Sequence, residues 1–162
     1  QLDDELLRIS KESFDALSFN CYALSPDHEK MNHALEISGL PMIIGEYHFG
    51  TVDRGLAQSL WQVNSQKERG DAFRYYTENA FAHRGLIGTG WFRWIDQNIN
   101  GRTDGENYNC GFIDVTDRPY PYMVDAAIKT AKSLYEIHSG TKTPFHQAPN
   151  AVGHSPIPDL WE

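Results

Sequence analysis

Cysteine is nearly absent from this 162-residue chain: Cys21 and Cys110 stand alone, too few for a disulfide scaffold and too widely spaced for a zinc knuckle. Long apolar runs are missing as well, and nothing approaches the roughly 20 consecutive apolar residues that a membrane-spanning helix needs. Positive charge is scarce. Fourteen Lys and Arg face 22 Asp and Glu, a formal net charge of -8, and no basic cluster interrupts that balance. A nucleic-acid backbone and an anionic membrane are therefore excluded as expected partners. No G-x-G-x-x-G follows an apolar segment, which removes the simplest dinucleotide-binding reading. None of the seven histidines pairs at the i, i+4 spacing of a zinc helix around a glutamate. The residues thus require neither a metal nor another cofactor.

What is present fits a soluble globular domain, with 40% hydrophobic and 22% charged residues and a length sufficient for one core. Aromatics reach 12% and include four Trp. Trp and Tyr stack well on sugar rings, although the ordinary home of an aromatic is the core.

Helical spacing of Leu2, Leu6 and Ile9 behind Asp3, Asp4 and Glu5 predicts a helix over Leu2 to Lys11. Phe14 to Cys21 reads as a strand with Asn20 and Tyr22 at its carboxyl end. Ser25 and Pro26 open a second helix with Met31, Ala34, Leu35 and Ile37 inward and Gly39 as its stop. A second strand runs from Met42 to Glu46. The capping-box run Ser65 to Glu68 begins a third helix, which closes at His83, Arg84 and Gly85. Leu86 to Phe92 is a third strand, in which Gly88 and Gly90 admit a close neighbour. Pro121 opens a last helix before Gly140, and residues 141–162 read as a tail that packs on something else or is loose. Two long connections, Tyr47 to Asn64 and Asp96 to Arg118, have the length of functional loops. Helix and parallel strand in alternation leave two architectures open, a doubly wound sheet or part of a (β/α)8 barrel.

The densest chemistry lies in Pro41 to Arg54, PMIIGEYHFGTVDR. A buried parallel strand ends at Glu46, and His48, Asp53 and Arg54 follow within eight positions. The carboxyl ends of parallel strands are where α/β proteins place their sites. If the three strands are neighbours, Asn20 and Tyr22 stand beside Glu46 and His48, with Trp91 and Trp94 on the far side. A carboxylate, a phenol able to donate to it and an indole platform are the parts of a sugar-cleaving site. Tyr22 could equally pack on the core, and the residues alone leave both readings open.

The segments GEYHFGTVDRG, GTGWFRWIDQNINGR and DGENYNCGFIDVTDRPYP resemble those of agarase-like glycoside hydrolases of clan A, which are retaining enzymes on a (β/α)8 TIM barrel. The likeness runs from about Phe14 to about His138. It implies an α/β fold that is a partial TIM barrel, the C-terminal three βα units with strands 6 to 8, with residues 1–140 as the C-terminal portion of a catalytic domain. By the same resemblance Glu46 is the nucleophile, Tyr22 the tyrosine bonded to it, and Trp91 the aromatic under the sugar. His48, Asp53, Arg54, Asp96, Gln97 and Glu106 are candidate sugar contacts, with Asn20 and Trp94 beside them. His48 reads as a hydroxyl partner or proton shuttle.

The resemblance also sets an expectation of incompleteness. The family takes its general acid/base from an Asn-Glu pair on the fourth strand, and no counterpart lies in this chain. Three βα units cannot close a barrel of typically about 250 residues, and retention needs two carboxyl groups about 5 to 5.5 Å apart. Glu106 is the one acid here that could reach the cleft. The expectation is the nucleophile-bearing part of a retaining β-glycosidase for agarose-like or other β-galactosidic polysaccharide, inactive without the missing N-terminal barrel part, and secreted or periplasmic. The alternative is a non-catalytic partial barrel that binds carbohydrate through Trp91, Trp94 and the Asp53/Arg54 loop.

Asp96 to Gly101 begins like a calcium loop, but position twelve is Asn107 where a bidentate Glu belongs. A cleft loop rich in hydrogen-bonding groups explains it better. Calcium added to the millimolar range is accordingly expected to leave the thermal unfolding temperature unchanged; a rise with saturable dependence would reinstate the metal loop.

Overall fold

The structure is a computed structural model that describes residues 3–154. Leu2 of the expected first helix and residues 155–162 of the expected tail lie outside the described residues.

Three parallel strands form the central sheet in the order β1 (Leu17–Asn20), β2 (Met42–Tyr47), β4 (Leu86–Trp91). Between and around them run α1 (Asp4–Ser13), α2 (His28–Ser38), α3 (Gln66–Phe81) and α4 (Pro121–His138). A separate two-stranded antiparallel ribbon pairs β3 (Trp61–Gln62) with β5 (Val152–Gly153).

Helix boundaries follow local chemistry. The Asp3 carboxylate accepts from Glu5 N–H and starts α1. Phe14 then serves as the helix cap and donates to Ser10 O, so β1 begins at Leu17 rather than at Phe14. Asp27, two residues beyond the expected Ser25, caps α2 by accepting from Glu29 and Lys30 N–H. Its acceptor oxygen satisfies two of the amides that a helix start leaves without partners. Gly39, at φ 68°, ends α2 in the left-handed conformation. Ser65 and Glu68 cap α3 reciprocally, Ser65 Oγ accepting from Glu68 N–H at 3.2 Å and Glu68 Oε2 from Asn64 N–H at 2.8 Å.

Burial is one-sided. Leu17, Phe19, Met42, Ile44 and Leu86 pack with Leu7 of α1, Met31 and Ala34 of α2, and Ala72, Tyr76 and Ala80 of α3. Each such large side chain contributes roughly 1.5–3 kcal/mol on burial. The alternate positions Ser18 and Asn20 are exposed, as is Ile87 at 57%. A parallel sheet ordinarily carries cover on both faces; this one has its helices on one face only. A second cluster of Phe73, Tyr120, Met123 and Ala126 joins α4 to α3. There Gly70 is required, because a Cβ would lie 2.6 Å from Tyr122 O.

The two long connections are neither loose nor independent. Bridges join Thr51 to Asn109 and Ala57 to Tyr108, so residues 47–64 and 96–118 form one layer over the carboxyl end of the sheet. The tail is held to the same layer and to α3 as far as it is described. Val152 pairs with Gln62, His154 N–H donates to Leu60 O at 2.7 Å, and Phe145 N–H donates to Glu78 Oε2 at 2.8 Å. Its prolines and lack of periodicity hid a strand only two residues long.

Gly88 and Gly90 make opposite demands. At Gly90 a Cβ would be driven into the Gly45 carbonyl on the neighbouring strand, whereas at Gly88 it would sit 3.6 Å from the Ile43 side chain, an ordinary contact. Gly90→Ala is therefore expected to cost about 1–3 kcal/mol by overpacking, and Gly88→Ala to be neutral or stabilising by up to about 1 kcal/mol. Equilibrium denaturation of the two variants checks the contrast; equal effects would mean that the β2–β4 approach is misdescribed.

Candidate active site

Register places the candidate residues. β1 and β2 pair Asn20 with Glu46, and Cys21 N–H donates to Glu46 O at 2.9 Å, so Tyr22 emerges beside the Glu46 side chain. The Tyr22 hydroxyl donates to Glu46 Oε2 at 2.8 Å. Burial, then the bond to Glu46, raises the Tyr22 pKa well above the usual phenol range, which keeps the donor protonated at any working pH. Tyr22 is also fixed from behind: Trp61 Nε1–H donates to Tyr22 O at 2.6 Å, and the Tyr76 hydroxyl to Cys21 O at 2.6 Å. The structure thus brings Asn20, Tyr22 and Glu46 together at one rim.

His48 has a different place from the one expected of a sugar contact. It is 1% exposed. Its Nε2 accepts from Leu60 N–H at 3.2 Å, and since a backbone amide can only donate, Nδ1 carries the proton and donates to Phe92 O at 3.1 Å. Both nitrogens are thereby used, and the ring edge meets the Tyr22 ring at a centroid distance of 5.0 Å. Burial pushes the imidazole pKa down to about 3. The residue is a neutral brace between the two loops and Tyr22.

The two tryptophans divide their roles. Trp91 is half-buried, donates Nε1–H to Cys110 O at 2.6 Å, and meets Tyr47, Phe73 and Phe112 edge-on. Trp94 is 68% exposed and stacked on Phe112 at 22°, so it offers the free indole face.

The remaining candidates belong to the loop layer. Asp96 is buried; its carboxylate accepts from Asn109 Nδ2 at 2.7 Å, the Tyr120 hydroxyl at 2.6 Å and Gly111 N–H at 2.7 Å. It therefore faces the protein and not the calcium-like loop it begins. Gln97, also buried, donates to Glu106 Oε2 at 2.6 Å and accepts from Tyr108 N–H at 2.6 Å. Arg102 approaches the same Glu106 oxygen at 3.5 Å. Asp53 accepts from Thr51 Oγ and from Gln66 Nε2 at 2.7 Å, while exposed Arg54 lies over the Tyr120 ring at 5.6 Å. Among the described residues no group of three or more His, Cys, Asp or Glu could hold a metal ion, and no helix is long and apolar enough to cross a membrane.

The 128 residues that align with "Beta-agarase A" of Vibrio sp. (strain JT0107) are 40% identical to it, and cover 75% of this chain. The match to "Beta-agarase B" of the same strain is 38% over the same length. The chain is homologous to part of the β-agarases. It spans 13% of the length of these curated relatives. Solved structures agree: an exo-beta-agarase superposes with a TM-score of 0.79 at 34% identity, covering 85% of this β-agarase-like chain and 18% of that one. An agarase (AgWH50C) also gives 0.79, at 37% identity, covering 84% and 20%. No protein-family model matches the chain.

One buried polar layer of this β-agarase homologue escaped sequence reading. Arg69, fully buried on α3, donates to Asn109 O at 2.9 Å and Gly111 O at 2.8 Å and lies over the Tyr120 ring at 4.4 Å. Gln66 donates to Asn109 Oδ1 at 2.6 Å. The available signal was phase: Arg69 falls one helical turn and Gln66 two turns before Ala72 and Phe73, on the apolar side of α3, where a solvated residue has no business.

A buried neutral histidine makes stability depend on pH. Above about pH 6.5 the ring is neutral in both folded and unfolded chains, but below it the unfolded chain binds a proton that the folded ring, with its pKa near 3, refuses. Stability is thus lost as pH falls from about 6.5 toward 3, by roughly 2 kcal/mol between pH 7 and 5 from this group. Denaturant titrations at the two pH values should give that difference, and His48→Gln should remove most of it; an unchanged slope would show the ring to be solvated.

Proposed function

We propose that this chain carries the nucleophile of a retaining β-glycoside hydrolase acting on an agarose-like or other β-galactosidic polysaccharide, with β1, β2 and β4 as strands 6, 7 and 8 of a (β/α)8 barrel. The observation that carries the reading is the 2.8 Å bond from the Tyr22 hydroxyl to Glu46 at the carboxyl end of the sheet. Homology to β-agarases supports the substrate class. Helices on one sheet face support the barrel, whose interior would lie on the other.

In this reading the Glu46 oxygen that is free of Tyr22 attacks the anomeric carbon, the glycosidic bond breaks, and a glycosyl ester forms on Glu46. Tyr22 holds the carboxylate in line without giving up its proton. Trp94 supplies a face for a sugar ring, and Asn20 a hydrogen-bonding group beside the nucleophile. Protonation of the leaving oxygen needs a second carboxyl group about 5 Å away. Glu106, clamped by Gln97 and Arg102, is occupied with its own loop, so the acid/base is assigned to the barrel part outside this chain. The chain alone is then inactive, and its first partner is that missing part. The exposed Trp94 also serves the second reading, carbohydrate binding without turnover.

In the barrel-complete protein, a 2-deoxy-2-fluoro galactoside inactivator is expected to label Glu46 and no other residue, and Glu46→Gln to abolish turnover while leaving oligosaccharide binding within a few-fold. Tyr22→Phe removes one hydrogen bond to a charged group, worth about 1.5–3 kcal/mol, and should lower kcat about 10- to 100-fold with little change in KM. Label on a different carboxylate would refute the nucleophile assignment.

A further inference from the structure

Half of the eight arginines of this acidic chain line one groove. A cavity of about 380 Å³ is bounded by Arg54, Arg118, Leu56, Ile99 and Tyr120, and a second of about 350 Å³ by Arg93, Arg102, Ile95 and Asn98. Asp96, Ile99 and Val115 border both, so the two adjoin in the loop layer and are treated as one groove. Neither is lined by Glu46 or Tyr22.

The acids at the groove make bonds of their own, although the Arg118 charge also acts on Asp114. Asp96 gives its oxygens to Asn109, Tyr120 and Gly111, and Asp114 Oδ1 accepts from Thr116 N–H, Thr116 Oγ–H and Arg118 N–H of its own turn. Arg102 is paired with Asp104 at 3.0 Å and with Glu106. Arg54, Arg93 and Arg118, by contrast, have no carboxylate within ion-pair distance among the described residues. Arg54 is held over the Tyr120 ring, an arrangement that leaves the edge of the guanidinium free to donate. Ile99, 64% exposed, and Val115, 42% exposed, supply apolar surface between the cations. Paired guanidinium forks beside an apolar floor match a sugar ring that carries an oxyanion, since each fork can give two parallel N–H bonds to it.

We propose that this groove is a subsite for a saccharide bearing an oxyanion substituent, a sulfate ester or a carboxylate, with Arg54 and Arg118 as its principal contacts and Arg93 at its far half. The proposal rests on the glycoside-hydrolase reading above only in taking a saccharide as ligand. It adds a substrate class that the Glu46 site does not select, the anionically substituted galactan chain.

Isothermal titration of the barrel-complete protein with three galactan oligosaccharides of equal length, one neutral, one sulfated and one carboxylated, tests it. The expected result is about tenfold tighter binding of one or both anionic forms, reduced toward the neutral value as salt rises from 0.05 to 0.5 M. Arg54→Gln/Arg118→Gln should erase the preference for the anionic forms, Arg54→Lys/Arg118→Lys should keep part of it, and Arg84→Gln, away from the groove, should keep all of it. Circular dichroism confirms that each variant is folded. The sulfated and carboxylated arms identify which oxyanion is read. Equal binding of all three sugars overturns the subsite and leaves the glycosidase reading standing. Anionic binding without neutral binding supports the subsite and counts against the neutral-substrate reading, and binding of none overturns both.

Discussion

The bond between the Tyr22 hydroxyl and the Glu46 carboxylate depends on a backbone constraint: β1 and β2 run parallel with Asn20 opposite Glu46. Parallel pairing brings the carboxyl ends of both strands to one rim. The register shifts between Phe19 and Asn20, with Gly45 of β2 as the extra residue, and Tyr22, two residues beyond Asn20, reaches across to a side chain on the next strand. Everything else at the rim serves that crossing. The Trp61 indole holds the Tyr22 carbonyl, the Tyr76 hydroxyl holds the carbonyl before it, and His48 closes against the ring.

The loop layer is organised around a second constraint, a guanidinium with no access to water. Arg69 is expensive to bury, and its cost is offset by two carbonyl acceptors, an aromatic face and the Asp96 charge. Those acceptors, Asn109 O and Gly111 O, flank the Cys110 carbonyl that receives the Trp91 indole. The same three-residue segment therefore fixes an α3 cation on one side and the aromatic at the end of β4 on the other. The loop layer is thus held by side-chain bonds rather than by elements, of which it contains almost none.

The strands, the four long helices and the polar rim were legible because each rests on local pattern: apolar runs of strand length, helical spacing, caps and a glycine stop. Boundaries moved where a local rule had two claimants, as at Asp27 against Ser25 and at Phe14, which serves as a helix cap. The pairing of Glu46 with Tyr22 was legible through resemblance. What stayed hidden was long-range. Nothing near His48 in sequence reveals that Leu60 and Phe92 will occupy both of its nitrogens, and nothing near Asp96 reveals Asn109 and Tyr120. A polar residue in a loop reads as solvated or ligand-facing until its partners, 12 to 44 positions away, are known. Arg69 and Gln66 were the exception, since their helical phase already placed them inside.

The ribbon of β3 and β5 carries a consequence for handling the molecule. Val152 and Gly153 clasp Trp61 and Gln62, and Trp61 in turn grips the carbonyl of Tyr22. Trimming the chain before residue 150, which its proline content invites, would release that clasp and let slack travel through an indole into the phenol that steadies Glu46. Val152 and Gly153 behave as a buckle, and an expression boundary or a proteolytic cut belongs beyond them.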